Sequence, residues 1–293
     1  MTASRPSILV IGDLVDDVVV TPTAPIRPDT DTPATIERRG GGSAANTAAW
    51  MAACGARVAL VARCAAADVG RHVDELRGAG VEPLLQADPT RPTGTIVIIV
   101  EGESRTMLTQ RGANEALSPD ALTDDLLDRS DVLHATGYSV VDRPGPFARL
   151  VERMHGRGGR VALNVGSVGA VADAGVASFA EAVAGVDVLV ANLGEGRVLT
   201  GLDDADAVAG ALAARFPAVA VTLGERGSIV GSSEGLERIE AHPARSVDPT
   251  GAGDAFAAGF VTALATGTSL ADAGRRGSAL AARAVAVVGG RPN

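Results

Sequence analysis

The sequence predicts an α/β fold: a mostly parallel central sheet with helices on both faces, plus a small β-sheet set apart from it. Three observations predict it. Short apolar runs alternate with helical stretches over most of the 293 residues, a rhythm that calls for right-handed βαβ crossovers. Two segments, 14–40 and 93–112, carry strand patterns with no helix between their strands, so they cannot join the parallel core. A content of 46% hydrophobic and 21% charged residues is that of a globular chain able to bury one large core. The chain is therefore expected to form a single domain, 1–293, with a lid made from 14–40 and 93–112.

Taken in order, SILVIGD (7–13) is a buried strand ended by Gly12. DDVVVTPTAPIRPDTDTPATIERRG (16–40) alternates β-branched residues around a Pro- and Asp-rich turn. SAANTAAWMAACG (43–55) reads as a helix capped by Ser43 and stopped by Gly55. RVALVAR follows as a strand, then DVGRHVDELRGAG as a helix starting at Asp68 and ending at Gly78 or Gly80. TGTIVIIVEGESRTMLTQRG (93–112) reads as a hairpin turning at EGES. SPDALTDDLLD begins a helix with Ser118 as cap and Pro119 at its first position. DVLHATG, RVALNVG, DVLVANLG and AVAVTLG are four further short strands, each after a helical stretch.

Charge and composition exclude several functions. All 26 basic residues are Arg, so a P-loop Lys, a protein-kinase strand Lys and a Schiff-base Lys are all impossible. A net charge of −9 lacks the basic footprint of a nucleic-acid binder and is repelled by anionic membranes. The two cysteines, Cys54 and Cys64, exclude a disulfide framework, and His72, His134, His155 and His242 show no metal-ligand spacing. With no apolar run of 18 residues and a strand close to the start, a soluble cytoplasmic protein is expected.

The stretch SVDPTGAGDAFAAGFVTALATG (246–267) carries the chemistry. Gly251, Ala252 and Gly253 precede an apolar helical run, and small residues with free N–H groups at a helix start favour an anion. Asp254 stands at the mouth of that anion site, where it can take a proton from a hydroxyl. An anion hole beside a general base is what phosphoryl transfer to an alcohol requires. Read locally, the same residues make a Gly-rich turn and a helix-start carboxylate. A dinucleotide fingerprint would instead follow the first strand, which argues against an NAD-dependent oxidoreductase.

Asp248-Pro249-Thr250-Gly251-Ala252-Gly253-Asp254 resembles the D-x-x-G-A-G-D signature of the ribokinase-like (PfkB) carbohydrate kinases, and Gly41-Gly42-Ser43-Ala44-Ala45-Asn46 resembles the family's Gly-Gly pair ahead of an Asn. The resemblance covers nearly the whole chain and implies a ribokinase-like fold with a β-lid. It implies Asp254 as catalytic base and the amides of Gly251, Ala252 and Gly253 as anion hole. Asp17, five residues after Gly12, matches the family's substrate Asp, with Gly41, Gly42 and Asn46 as further acceptor contacts. Asn192 and Glu195 in ANLGEGRVLTG match an N-x-x-E motif near the phosphates and Mg2+, Glu195 acting through water. Thr222, Gly224 and Gly227 resemble the nucleotide loop, and Asp248 a position that holds a monovalent cation in some relatives. Without the family, Asp17, Asn46 and Glu195 read as ordinary turn and helix-end residues.

The implied activity is ATP- and Mg2+-dependent phosphorylation of a sugar or sugar-like alcohol, a small-molecule partner, with a homodimer through the lid. A nucleoside kinase on the same fold is the alternative, and a non-catalytic sugar sensor is the rival of another class. LNVGSVG puts Asn164 where some relatives have an acid, and lacks their Arg, which leans against a phosphorylated acceptor. Arg105 and Arg111 in the second lid hairpin could reach the acidic group of a sugar acid, although charged residues on exposed hairpins are usually solvated. The lid segments hold no Phe, Trp or Tyr, which leans against a purine nucleoside.

Overall fold

The computed structural model describes residues 5–101 and 104–292. Two residues of the expected EGES turn, Gly102 and Glu103, and the side chain of Arg105 lie outside that description. The chain runs β1 (Ser7–Ile11), β2 (Val15–Pro22), β3 (Ala34–Gly41), α1 (Ser43–Ala53), β4 (Arg57–Ala65), α2 (Val69–Gly78), β5 (Val81–Asp88), β6 (Gly94–Glu101) and β7 (Ser104–Gln110). There follow α3 (Asp124–Asp128), β8 (Val132–Thr136), α4 (Gly137–Val141), α5 (Pro144–His155), β9 (Arg160–Asn164), α6 (Val168–Ala174), α7 (Val176–Ala182) and β10 (Val188–Asn192). The last elements are α8 (Leu193–Thr200), α9 (Ala205–Ala213), β11 (Ala218–Thr222), β12 (Ser228–Ser232), β13 (Gly235–Ile239), α10 (Ala252–Ala265) and α11 (Leu270–Val285).

Nine strands form the main sheet in the order β13-β12-β11-β10-β9-β8-β1-β4-β5. The seven from β11 to β5 are parallel. β8 is buried at every residue and β1 at all but its first, as strands covered on both faces must be. One apolar layer, with Phe147, Leu150, Phe179 and Leu212, packs beneath the helices of the middle of the chain. The other, with Trp50, Met51, Phe256 and Phe260, packs beneath α1, α10 and α11.

Two strand pairs were not expected from sequence. β5 forms a parallel edge, its sequence VEPLLQAD mostly half-buried, with Pro83 inside it, and that mixture hides the strand signal. β12 and β13 add an antiparallel hairpin to the other edge, so strands without an intervening helix extend the main sheet there.

The second sheet has the order β3-β2-β6-β7, with β2 parallel to β6 and both other pairs antiparallel. Strand alternation splits the Asp16-Asp17 doublet between its faces. Asp17 shares the inner face with Val19, Ile96 and Ile98. Asp16 turns outward to Arg38 and Arg71, the latter at 2.7 Å, which ties the sheet to α2. The outer face carries Val18 beside Val97, and Val20 between Ile36 and Ile99. Ile36 and Leu108 are 65% and 56% exposed.

Capping departs from the sequence expectation at two helices. The N-cap of α1 is Gly42, not Ser43. Its first amides are met from outside the helix: the Asp13 carboxylate accepts from the N–H of Ser43 at 2.8 Å and of Ala44 at 3.3 Å. Asp68 caps nothing with its side chain; its carboxylate accepts from the Thr93 hydroxyl. Ser118 does accept from Asp120 N–H, over a single 3₁₀ turn rather than a full helix. Among the described residues, no helix is long and apolar enough to cross a membrane.

Candidate active site

A cavity of about 280 Å3 lies at the C-terminal ends of β9, β10 and β11, roofed by the inner face of the four-stranded sheet. In parallel α/β sheets this end gathers ligands, because strand-to-helix turns and helix N-termini converge there. Asp17, Gly42, Asn46, Gly251, Gly253 and Asp254 line the cavity. Asn192, Glu195 and Thr222 line it too. Gly41, Gly224, Gly227 and Ala252 are not among the lining residues, although Gly41 adjoins Gly42 and Ala252 lies between two of them.

Gly251 is the N-cap of α10 with φ +77°, a left-handed conformation that favours glycine. A Cβ there would lie 2.6 Å from the Cα and carbonyl oxygen of Gly290. The chain thus turns tightly at the start of α10, where Gly251 and Gly253 line the cavity and the Ala252 N–H donates to the Pro249 carbonyl at 3.3 Å. Beside Gly253 the space for a Cβ is open. The cradle fits a phosphate-sized anion.

Asp254, in the first turn of α10, reaches across to α1. The Ser43 hydroxyl donates to its Oδ1 at 2.6 Å and the Asn46 Nδ2 donates to its Oδ2 at 3.2 Å. Burial pushes the Asp254 carboxyl up to about 7, against the two hydrogen bonds, with the Asp13 and Asp17 charges adding to the rise. A carboxylate poised near neutrality has the properties of a general base.

Asp17 is buried on β2, and its carboxylate occupies the place a side chain at Gly41 would need. Burial pushes Asp17 up to about 6, and the Arg291 cation opposes the rise. With Asn46 it offers acceptor and donor atoms within one cavity wall, suited to vicinal hydroxyls.

Asn192 and Glu195 form a capping box on α8: the Glu195 N–H donates to Asn192 Oδ1 at 2.9 Å, and the Asn192 N–H donates to Glu195 Oε2 at 2.8 Å. Burial pushes Glu195 up to about 7. The helix-end role and a cavity-facing role are therefore both filled by one carboxylate. Asp248 lies in a second chamber beyond Asp17, of about 520 Å3, with Arg39 and Arg291. Its oxygens accept from the N–H of Thr250 at 2.8 Å and of Gly289 at 3.0 Å.

Four residues of the site escaped the sequence reading. Ser43 reads from sequence as a cap, yet its hydroxyl serves Asp254. Asp13, next to Gly12, fixes the start of α1 and also accepts from the Thr136 hydroxyl at 3.0 Å. Tyr138 brings an aromatic ring to the cavity from α4 rather than from the small sheet. Arg291 has no local signal at all. Arg111 lines the cavity but is already engaged, with Asp142 at 2.6 Å and over the Tyr138 ring at 5.6 Å. Among the described residues, no group of three or more His, Cys, Asp or Glu is placed to hold a metal ion.

Comparison with known proteins converges on one family. Residues 5–293 match the family described as pfkB family carbohydrate kinase. The 2-dehydro-3-deoxygluconokinase of Thermoproteus tenax is 30% identical over 268 residues, spanning 87% of this chain and 81% of that protein. The crystal structure of adenosine kinase from Sinorhizobium meliloti superposes with a TM-score of 0.86 at 28% identity, covering 99% of this chain and 96% of that one. A probable sugar kinase from Rhizobium etli CFN 42 gives the same TM-score and coverage at 26% identity.

Proposed function

This chain belongs to the pfkB family of carbohydrate kinases, and on that premise we propose that it transfers the γ-phosphoryl group of ATP to a hydroxyl of a sugar-like acceptor, with Asp254 as general base. It is a phosphotransferase acting on an alcohol. One observation supports the residue assignment: Gly251, Gly253 and Asp254 at the start of α10 and the acceptor-side Asp17 all line one cavity.

Asp17, Asn46 and the backbone of Gly41 and Gly42 hold the acceptor with one hydroxyl toward Asp254. Asp254 Oδ takes that hydroxyl's proton as its oxygen bonds to the γ-phosphorus and the bond to the β-phosphate oxygen breaks, leaving ADP. The amides of Gly251, Ala252 and Gly253 receive the charge spread over the phosphoryl oxygens. Thr222, Gly224 and Gly227 are assigned to the nucleotide. The buried, oxygen-donating Glu195 fits Mg2+ held through water, with Asn192 beside the phosphates. When bound, Mg2+ offsets phosphate charge. Asp248 is assigned to a monovalent cation. The four-stranded sheet closes over Asp17 and excludes water from the transfer.

ADP release from ATP and Mg2+ across pentoses, hexoses, sugar acids and nucleosides tests the proposal. Turnover with one class, lost in Asp254→Asn, supports it; acceptor binding without ADP release favours a sensor. The Tyr138 ring, lining the same cavity as the apolar Val15, Ile96 and Ile98, favours a nucleoside as second reading. Because burial pushes the Asp254 carboxyl up to about 7, kcat/KM is expected to rise with pH through neutrality and level off above it. A rate flat from pH 5.5 to 8 contradicts the base.

We also propose a homodimer through the outer face of the small sheet, where Ile36, Val20, Ile99, Val97 and Leu108 make a continuous apolar surface. The wild type is expected to scatter light as a dimer, and Ile36→Lys combined with Leu108→Asp as a monomer. A monomeric wild type overturns this.

A further inference from the structure

Arg291 touches both ends of the acceptor wall and has no part in the mechanism above. It is carried by the segment after α11, which is pinned by the Trp50 Nε1–H donating to the Gly290 carbonyl at 2.8 Å. Only 14% of its side chain is exposed. Its Nε donates to Asn46 Oδ1 at 3.3 Å, its Nη2 donates to the Gly41 carbonyl at 3.0 Å, and its Nη1 lies 3.5 Å from Glu75 Oε2.

We propose that Arg291 is a positioning residue: it fixes which end of the Asn46 amide faces Asp254, and so keeps that carboxylate ready to accept a proton. A guanidinium has donors only, whereas an amide has a donor end and an acceptor end. With Arg291 in place, Oδ1 of Asn46 must face the guanidinium, and Nδ2 then faces Asp254. An N–H donor stabilises the ionised carboxylate. Were the amide reversed, its oxygen would face Asp254 and stabilise the protonated acid as a donor instead.

The other groups facing Asp254 are the Ser43 hydroxyl on α1, Asp13 in the turn between β1 and β2, and Asp17 on β2. The two carboxylates oppose ionisation of Asp254. Arg291 acts against them through the Asn46 amide, while its own charge is spent on Asp17. Glu75, on α2, holds the far side of the guanidinium and keeps it aimed at Asn46. The inference rests on Asp254 being the base, and its test is independent of turnover.

The experiment follows the carboxyl carbons of 13C-labelled aspartate by NMR from pH 4 to 9, without ATP or acceptor. The Asp254 signal is identified by its loss in Asp254→Asn. Arg291→Gln is expected to raise the Asp254 midpoint by about half a pH unit or more, and Arg291→Lys, still cationic and donor-only, to leave it within about 0.2. In an Asn46→Leu background, Arg291→Gln is expected to shift the midpoint no further, since the amide that transmits the effect is gone.

An unmoved midpoint in Arg291→Gln, or an equal shift with and without the Asn46 amide, overturns the proposal. A measurement on the unaltered chain guards against variants that fail to fold. The Asn46 side-chain NH2 protons are expected to move with the Asp254 titration, and an NH2 pair silent to it overturns the proposal equally. Failure of the kinase reading looks different, as absence of ADP release with every acceptor.

Discussion

Asp254→Asn is expected to lower kcat by about 10³-fold while leaving the KM for ATP within about twofold, because a positioned base contributes roughly 10²–10⁴. The amide keeps the shape of the carboxylate but cannot take the acceptor proton. The residues proposed for the nucleotide side, Asn192, Glu195 and Thr222, stand on other elements and are unchanged in the variant. Initial rates at saturating ATP measure this, and turnover within tenfold of wild type removes Asp254 from the base role. The variant has a second signature in stability. Asp254 is an acid whose folded value, about 7, lies above its ordinary 3.8, so the folded state holds a proton that the unfolded chain has released. Between those values stability falls as pH rises, by about 1 kcal/mol from pH 6 to pH 8 for this group. In a chain of this size that is about 2 °C in Tm. The wild-type Tm is expected to fall more steeply over that interval than the Tm of Asp254→Asn.

Gly251→Ala is expected to lower kcat by about 10² or more, the scale of losing one oxyanion donor, and to destabilise the fold by about 2–4 kcal/mol, since a left-handed non-glycine residue and a backbone clash add together. The added methyl group meets Gly290, 2.6 Å away, and neither backbone has a flexible side chain that can yield. Relief requires α10 or the segment after α11 to shift. A shift of α10 moves the cradle amides and Asp254 together, so both phosphate and base geometry suffer. Urea unfolding and steady-state kinetics separate the two effects; a variant with wild-type kcat shows that the α10 amides do not receive the transferring group.

The parallel core was legible because β1, β8, β9 and β10 are short apolar runs between helical stretches, and burial on both faces leaves no other pattern for them. The edges were not, because an edge strand is half in water. β5 reads VEPLLQAD and β13 reads GLERI, which alternate too little to distinguish from loop. In the site, the Gly251–Asp254 motif was legible since a glycine turn at a helix start has a local cause. Ser43 was visible but misassigned. A Ser at a helix start is ordinarily its cap, and only the fold shows that Asp13 meets the first amides and releases the hydroxyl for Asp254. Arg291 could not be read at all: its partner Asn46 lies 245 residues away, and no local pattern carries such a pairing.

Those long separations set an order of assembly. Ser43 meets Asp254 across 211 positions, and Trp50 meets Gly290 across 240. As the chain leaves the ribosome, β1, β4, β5 and the small sheet can form early, but α1 must wait for α10 and α11 to cover Trp50 and Met51. During that interval the nascent chain has the acceptor wall without the base and the cradle, and it exposes the apolar face of α1. A chain cut short by premature termination would therefore be inert toward ATP and sticky, a target for chaperones and proteases rather than a half-active enzyme.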